Sequence, residues 1–254
     1  MLVVFDIGNT NIALGIFEED KLLDNWKIPT DVGKTQVQYG KLIEKGFTQR
    51  KHSLKNITGI VIGSVVPAVT PKIKKAAQQI FSIKPMIVSG KSKLPIKLSV
   101  ENPKGVGADI IADCVVAHNL FSGTSIAIDL GTATTFNVVS NNAYIGSVIA
   151  PGLSLMTEYL AEKTALLPKI KFNEPQSIIG KTTIDCMKSG IFYGYIGLVE
   201  NILKKIKTKY KDATVIVTGG NSSLIASRLR GIDKIEPNLT LEGLCITYSF
   251  NKQA

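Results

Sequence analysis

An aspartate that closes an apolar run and leads through one apolar residue into glycine and then Asn or Thr occurs twice in this chain. Asp6 follows Val3 to Phe5 and opens onto Ile7, Gly8, Asn9, Thr10 and Asn11. Asp129 follows Ala127 and Ile128 and opens onto Leu130, Gly131, Thr132, Ala133 and Thr134. A second apolar run comes after each turn, Ile12 to Phe17 in the first copy and Phe136 to Val139 in the second. Each copy reads as strand, tight turn, strand. In such a turn glycine lets the main chain approach an anion, and successive N–H groups with Thr and Asn side chains donate to phosphate oxygens. The aspartate at the strand end can hold a metal ion. One such motif is more often an ordinary hairpin; two with the same continuation are harder to dismiss.

A third carboxylate is of interest. Pro103, Gly105 and Gly107 make a turn, after which Ala108 to Leu120 has a strongly helical pattern. Asp109 falls in the first helical turn, where free N–H groups and the helix dipole favour an ionised carboxylate. Asp113 stands one turn on and faces the same way. An acidic first turn is commonplace. The Gly-x-Gly approach is what leaves room for a ligand beside Asp109.

The elements that must position these residues follow from periodicity. Lys21 to Ile28 extends the first hairpin, with Trp26 packed on the sheet, and Val32 to Phe47 is helical with Val37, Leu42 and Ile43 as its stripe. Ile57 to Val66 is an almost continuous apolar run stopped by Pro67, as expected of a buried central strand. Pro71 to Phe81 is a helix with proline in its first turn. Pro85 to Val88 and Leu94 to Val100 are extended. In the second half Tyr144 to Ala150 forms a third strand and Leu153 begins a helix. Ile184 to Ile206 is the strongest helical pattern, although Gly190, Gly194 and Gly197 each cost it about 1 kcal/mol relative to Ala. That cost suggests close packing against another backbone. Ala213 to Val217, ending in Thr218, Gly219, Gly220 and Asn221, mirrors Ile60 to Ser64, so the repeat extends beyond the hairpins. Leu241 to Phe250 is the last helix. The expected domains are residues 1–118 and 119–254.

At 254 residues, 44% hydrophobic and 20% charged, the chain can fill two cores. No apolar run approaches the roughly 20 residues that span a bilayer. The N-terminus enters a strand with no signal-like segment, so a cytoplasmic location is expected. Cys114, Cys186 and Cys245 are isolated and read as buried thiols. With His52 and His118 the only histidines, a His-based metal site or a Ser-His-Asp triad is not supported. The net charge is +10, and its densest run is Lys204 to Lys211. Those lysines suit the negative end of a helix and lack interleaved aromatic residues, so neither nucleic acid nor a membrane is an expected partner.

The duplicated Asp-x-Gly hairpin resembles the phosphate motifs of the superfamily that includes sugar kinases, heat-shock protein 70 and actin. Within it the chain resembles the type III pantothenate kinases over nearly its whole length. The likeness rests on Asp6 to Thr10, Gly63 to Pro67, Asn102 and Pro103 with Val106 to Asp109, Asp129 to Thr135, Ile149 to Gly152, and Thr218 to Gly220. It implies an α/β fold of two duplicated ribonuclease H-like domains, with the active site in the cleft between them. It further implies phosphorylation of pantothenate by ATP with Mg²⁺ and a monovalent cation, K⁺ or NH₄⁺, in a homodimer. Under the same resemblance ATP is held by Asp6, Ile7, Gly8, Asn9, Thr10, Asn11, Ile12, Ala13, Thr132, Gly219 and Gly220. Asp6 holds Mg²⁺, Asp129 the monovalent cation, and Asp109 is the general base. Val100, Gly107, Ala108, Asp109 and Ile110 face the acceptor, and Thr183 reaches the acceptor site of a partner subunit.

Three positions depart from the family pattern. Ile110 stands where Arg is usual, Val100 where Tyr is usual, and Asn137 where Asp is usual. Losing a guanidinium that pairs with the acceptor's carboxylate removes a charge-assisted bond worth about 1.5–3 kcal/mol. The rival expectations are a kinase of the same fold for another small acidic alcohol, and a nucleotide-binding regulatory protein without turnover.

Overall fold

The structure, a computed structural model, describes residues 1–253. The chain forms two compact units: Met1–Asn119 with the stretch from Leu239 onward, and Leu120–Asn238. The first opens with an antiparallel meander, β1 (Leu2–Ile7), β2 (Asn11–Glu18) and β3 (Lys21–Pro29). Helix α1 (Gln36–Gln49) leads to β4 (Gly59–Ser64), which runs parallel to β1. Next come α2 (Thr70–Phe81), the short strands β5 (Met86–Ile87) and β6 (Lys97–Leu98), and α3 (Ala108–Leu120). The sheet order is β3-β2-β1-β4-β5. The central strands β1 and β4 are buried nearly throughout, whereas β3 alternates as an edge strand does.

Local chemistry sets the helix ends. Thr35 accepts from the Gln38 N–H while the Gln38 side chain accepts from the Thr35 N–H, a reciprocal cap that starts α1. Within α1, Gly46 leaves the space that the Trp26 indole fills, and Trp26 meets Phe47 edge to face at 5.4 Å. Tyr39, not Val37, carries the inward stripe with Ile43, Gly46 and Phe47; Val37 is exposed because it lies about 120° round the helix from Ile43.

The second unit retraces this path. β7 (Ser125–Leu130), β8 (Ala133–Ser140) and β9 (Ala143–Pro151) form the meander. α4 (Leu153–Lys163) and α5 (Thr183–Lys209) follow, then β10 (Thr214–Thr218) parallel to β7. The short α6 (Ser222–Ile225) and β11 (Lys234–Ile235), neither of which has a clear sequence signal, complete it. Its strands run β9-β8-β7-β10-β11, the order of the first unit. Both meanders carry a register shift between their second and third strands, at Ile16/Phe17 and at Val138/Val139. The inner face of α5 supplies Ile191, Phe192, Tyr195, Val199 and Leu203 to a core shared with Ile126, Ile128 and Phe136.

Helix α7 (Leu239–Gln253) returns to the first unit, which corrects the expectation of one continuous domain over residues 119–254. The reason is a row of glycines on the first sheet. Side chains added at Gly15, Gly59 and Gly63 would meet Leu241, Tyr248 and Leu244 of α7 respectively. Thr240 Oγ1 donates to Asp113 Oδ1 of α3 at 2.8 Å, so Asp113, which is buried, is tied into the fold. Cys114 and Cys245 are buried, but Cys186 is exposed in the first turns of α5, contrary to the sequence reading. Among the described residues no helix is long and apolar enough to cross a membrane.

Gly243 of α7 lies so close to the Ala112 backbone that a Cβ would overlap it. Gly243→Ala is expected to lower stability by about 1–3 kcal/mol, since backbone cannot yield as a flexible side chain can. A urea unfolding midpoint equal to that of the parent protein would show that α3 and α7 have slack here.

Candidate active site

In the first unit the Asp6 turn lies at the carboxyl ends of β1 and β4. Asp6 pairs in register with Gly63, and Ile7 with Ser64. Gly8 N–H donates to the Asn11 carbonyl at 3.0 Å and closes the turn. Thr30 clamps it from outside: its Oγ1 donates to the Gly8 carbonyl at 2.7 Å, and its N–H to that of Thr10 at 3.0 Å. Asn9, Thr10 and Asn11 are exposed, and Asp6, Gly8 and Ala13 are half-buried. Ile7 and Ile12 are fully buried core residues, so each can offer a ligand only main-chain groups.

The start of α3 meets the same strand ends. A Cβ at Gly63 would lie 3.4 Å from the Ala108 methyl, and one at Gly107 would lie 3.5 Å from Val65 and overlap Asp109 Oδ1. Gly107 is therefore the space into which the Asp109 carboxylate folds back. There Oδ1 accepts from the Ile110 N–H at 2.7 Å. Burial pushes the Asp109 carboxyl above the ordinary carboxylate range, and the main-chain N–H groups of Ile110 and Asp109 oppose this only in part. The helix start was expected to hold this group ionised; desolvation is the larger effect. Val100 and Ile110 are half-buried, and neither joins a hydrophobic core cluster of the described residues.

In the second unit Asp129 pairs in register with Thr218 of β10 and Thr135 of β8. Gly219, with a φ of 98°, is the residue that makes room for it: a Cβ there would collide with Asp129 Oδ1 and with the Leu130 main chain. A side chain at that φ is strained as well, so glycine is required twice over. Three ties hold the hairpin. Gly152 N–H donates to the Thr132 carbonyl at 3.1 Å, Asn221 Nδ2 donates to the Leu130 carbonyl at 3.1 Å, and Thr134 Oγ1 bonds the Tyr195 hydroxyl at 2.7 Å. Burial, with the Asp129 charge adding to it, pushes the Tyr195 phenol up to about 12 against the effect of its Thr134 bond, so it stays neutral. Asn137 is fully buried on β8 and donates to Thr135 Oγ1 at 3.0 Å.

The structure thus brings the Asp6 turn and the Asp109 helix start to one end of the first sheet, and Asp129, Thr132 and Gly219 to the equivalent end of the second. Gly220 follows directly, with open space around it. Thr183 is exposed at the first position of α5, next to the capping Thr182. Thr30 and Tyr195 had not been identified from the sequence. Their partners lie 22 and 61 residues away, and an isolated hydroxyl carries no signal of such a pairing. Among the described residues no cluster of three or more His, Cys, Asp or Glu side chains could hold a metal by itself. A single carboxylate such as Asp6 nevertheless suits Mg²⁺, which commonly takes one or two carboxylates plus substrate oxygens.

Two ribonuclease H-like units, each with an Asp-x-Gly hairpin at the carboxyl ends of its parallel strands, define the actin-like ATPase and sugar-kinase fold. Two solved structures agree on the fold. A protein assigned to the Baf family of transcriptional activators from Campylobacter jejuni matches with a TM-score of 0.62 at 17% identity, covering 99% of this chain and 100% of its own. One assigned as a 2-dehydro-3-deoxygalactonokinase from Sinorhizobium meliloti matches with a TM-score of 0.60 at 12% identity, covering 98% and 96%. The family is set by sequence: the family model for type III pantothenate kinase matches residues 2–205. A type III pantothenate kinase of Bacillus cytotoxicus is 41% identical over 253 residues, 99% of this chain and 97% of the relative. The chain belongs to the type III pantothenate kinase family.

The raised Asp109 carboxyl has a consequence for stability. A folded-state value above the unfolded one favours the protonated form, so its contribution is present at low pH and is lost as pH rises through the folded value. Asp109→Asn, neutral throughout, is expected to gain stability relative to the parent as pH rises from about 4 to about 8. Urea midpoints across that range check this; a gap that stays constant or narrows with pH would contradict the direction.

Proposed function

We propose that this chain transfers the γ-phosphoryl group of ATP to the primary alcohol of pantothenate, giving 4′-phosphopantothenate, the first step of coenzyme A synthesis. The observation that carries the reading is the half-buried Asp109 carboxylate at the start of α3, set against the same strand ends as the Asp6 hairpin. Family membership supplies the substrate.

Phosphoryl transfer needs charge neutralisation, in-line positioning and modest help in removing a proton from the alcohol. In this reading the main chain of residues 7–13, with the Asn9, Thr10 and Asn11 side chains, cradles the phosphates together with Thr132. Gly220, with open space around it, leaves room for the nucleoside, and the Gly219 main chain lies beside it. Asp6 holds Mg²⁺, which when bound offsets phosphate charge, and Asp129 holds a K⁺ or NH₄⁺ ion. Asp109 accepts the hydroxyl proton of pantothenate as its oxygen bonds to the γ-phosphorus and the bond to ADP breaks. A carboxyl raised by burial is a stronger base than an ordinary one. The test is a coupled assay with ATP, pantothenate, Mg²⁺ and K⁺. Asp109→Asn is expected to reduce turnover by about 10²–10⁴-fold while nucleotide binding persists. Near-full activity in that variant would remove Asp109 from the role.

The acceptor side supports a narrower statement. Val100 and Ile110 offer no charge to a carboxylate, so the Michaelis constant for pantothenate is expected to be high and ATP binding unaffected. Val100→Tyr with Ile110→Arg should lower that constant by about tenfold or more, the value of one charge-assisted bond. If the constant stays the same or rises, either another residue supplies the charge or the acceptor is a different small acidic alcohol; turnover on a panel of such alcohols separates the two.

A homodimer is part of the same reading. Gly190, Gly194 and Gly197 face outward on α5, and a Cβ at any of them would meet nothing within 4 Å in this chain. Their helix-propensity cost therefore has no compensation inside one subunit, which favours a second α5 packed on this face and Thr183 reaching the partner's acceptor site. Gly194→Ala distinguishes the cases. On a free face it stabilises the helix by about 1 kcal/mol; at a close contact it loosens the dimer, visible by light scattering as a lower mass at equal concentration.

A further inference from the structure

A second concavity lies in the second unit, between the carboxyl-terminal half of α5 and the β8–β9 ribbon. Its volume is about 540 Å³, within the roughly 300–1,000 Å³ typical of small-molecule sites. The irregularity in the ribbon builds it. Val138 pairs with Gly146 and Val139 with Tyr144, so Ile145 is an extra residue in β9. Such a bulge bends the strand and redirects its side chains. Gly146 sits there with a φ of 134° and open space where a side chain would be, which keeps the floor clear.

The lining has two parts. The floor and walls are apolar: Val138, Ile145, Val148, Ile202, Ile206 and the Tyr210 ring. At the rim stand Lys205 and Lys209, one helical turn apart and both exposed. No acidic residue lines the groove. Glu200 of α5 is engaged elsewhere, accepting from the Arg230 N–H at 3.0 Å. Among the described residues neither rim lysine has a carboxylate within salt-bridge reach, and Lys209 instead lies 5.3 Å from the centre of the Tyr210 ring. The carboxyl-terminal end of α5 contributes about half a negative charge. Two full positive charges on flexible stems outweigh it.

We infer that this groove is a ligand site, separate from the phosphate hairpins, for a small amphipathic carboxylate whose apolar tail lies on the bulged ribbon and whose head is held by Lys205 and Lys209. Charge complementarity selects the class. A neutral apolar molecule leaves both ammonium groups without an anionic partner, and a cationic one is repelled by them. A multiply charged anion without a tail forgoes the apolar floor.

The test uses the full chain with ATP and Mg²⁺ present and decanoate as the probe, with decanol as the uncharged control and titration calorimetry as the readout. Decanoate is expected to bind with one-to-one stoichiometry and at least about tenfold more tightly than decanol, as one charge-assisted contact allows. Lys205→Glu with Lys209→Glu should remove that preference. Asn201→Trp, which places a bulky ring at an exposed lining position, should abolish binding of both probes. All three changes are away from the residues assigned to catalysis. Because Asn201 and Lys205 continue the α5 face that carries Gly190, Gly194 and Gly197, light scattering checks that each variant keeps the mass of the parent, and turnover in saturating substrate is then expected to hold.

Equal affinity for decanoate and decanol, or full retention of the preference in the double lysine variant, overturns the proposal. So does a change in mass by light scattering on Asn201→Trp with no decanoate binding by the parent, which would make the groove a seat for a second copy of the chain.

Discussion

The site depends on a steric exclusion: the Asp129 carboxylate occupies the space that a side chain at residue 219, just beyond β10, would fill. In the first unit Asp6 pairs in register with Gly63, whose missing side chain makes room for Leu244 of α7 and Ala108 of α3. Both positions have to lack a side chain. Gly219 meets that condition at a positive φ, which any other residue adopts only under strain. The turns, their clamps and the crossover helices are arranged around that opening.

Preorganisation explains the clamps. Donors aimed at phosphate are worth most when they do not have to reorganise at the moment of reaction. A glycine turn by itself is soft, so its rigidity has to come from elsewhere. In the first unit Thr30, at the start of the loop into α1, supplies two bonds. In the second, Tyr195, Asn221 and Gly152 come from three different elements. Helix α5 thus has two faces with different tasks. Its inner face carries a neutral phenol bonded to Thr134, and its outer face is stripped of side chains at three glycines.

Much of this architecture was legible in the sequence because it repeats. The Asp-x-Gly turns, the continuous apolar run of β4, its counterpart β10 and the helix from Ala108 are all local patterns of period or composition. What was not legible is long-range. Nothing in residues 239–253 announces that they pack on the first sheet; that follows from the glycines at 15, 59 and 63, far away in sequence. Val37 is apolar but falls on a different face of α1 from Ile43, and the Thr35 cap starts the helix later than Val32. Thr30 and Tyr195 are single hydroxyls whose partners are fixed by tertiary packing. Helix glycines could be read as a cost, but not which side of α5 they face.

Asp109 shows how local and tertiary effects compete at one atom. The helix start and the main-chain N–H groups of Ile110 and Asp109 favour the charged carboxylate; burial disfavours it and prevails. Sequence reasoning sees the first effect alone, because the dipole belongs to the helix whereas desolvation belongs to what packs around it. The balance matters for chemistry. A carboxylate fully stabilised by its helix would be a poor proton acceptor, and one buried without donors would stay protonated. Folding back over Gly107 onto the main-chain N–H groups of Ile110 and Asp109 leaves it between those limits, at the end of the first sheet that also carries the Asp6 turn.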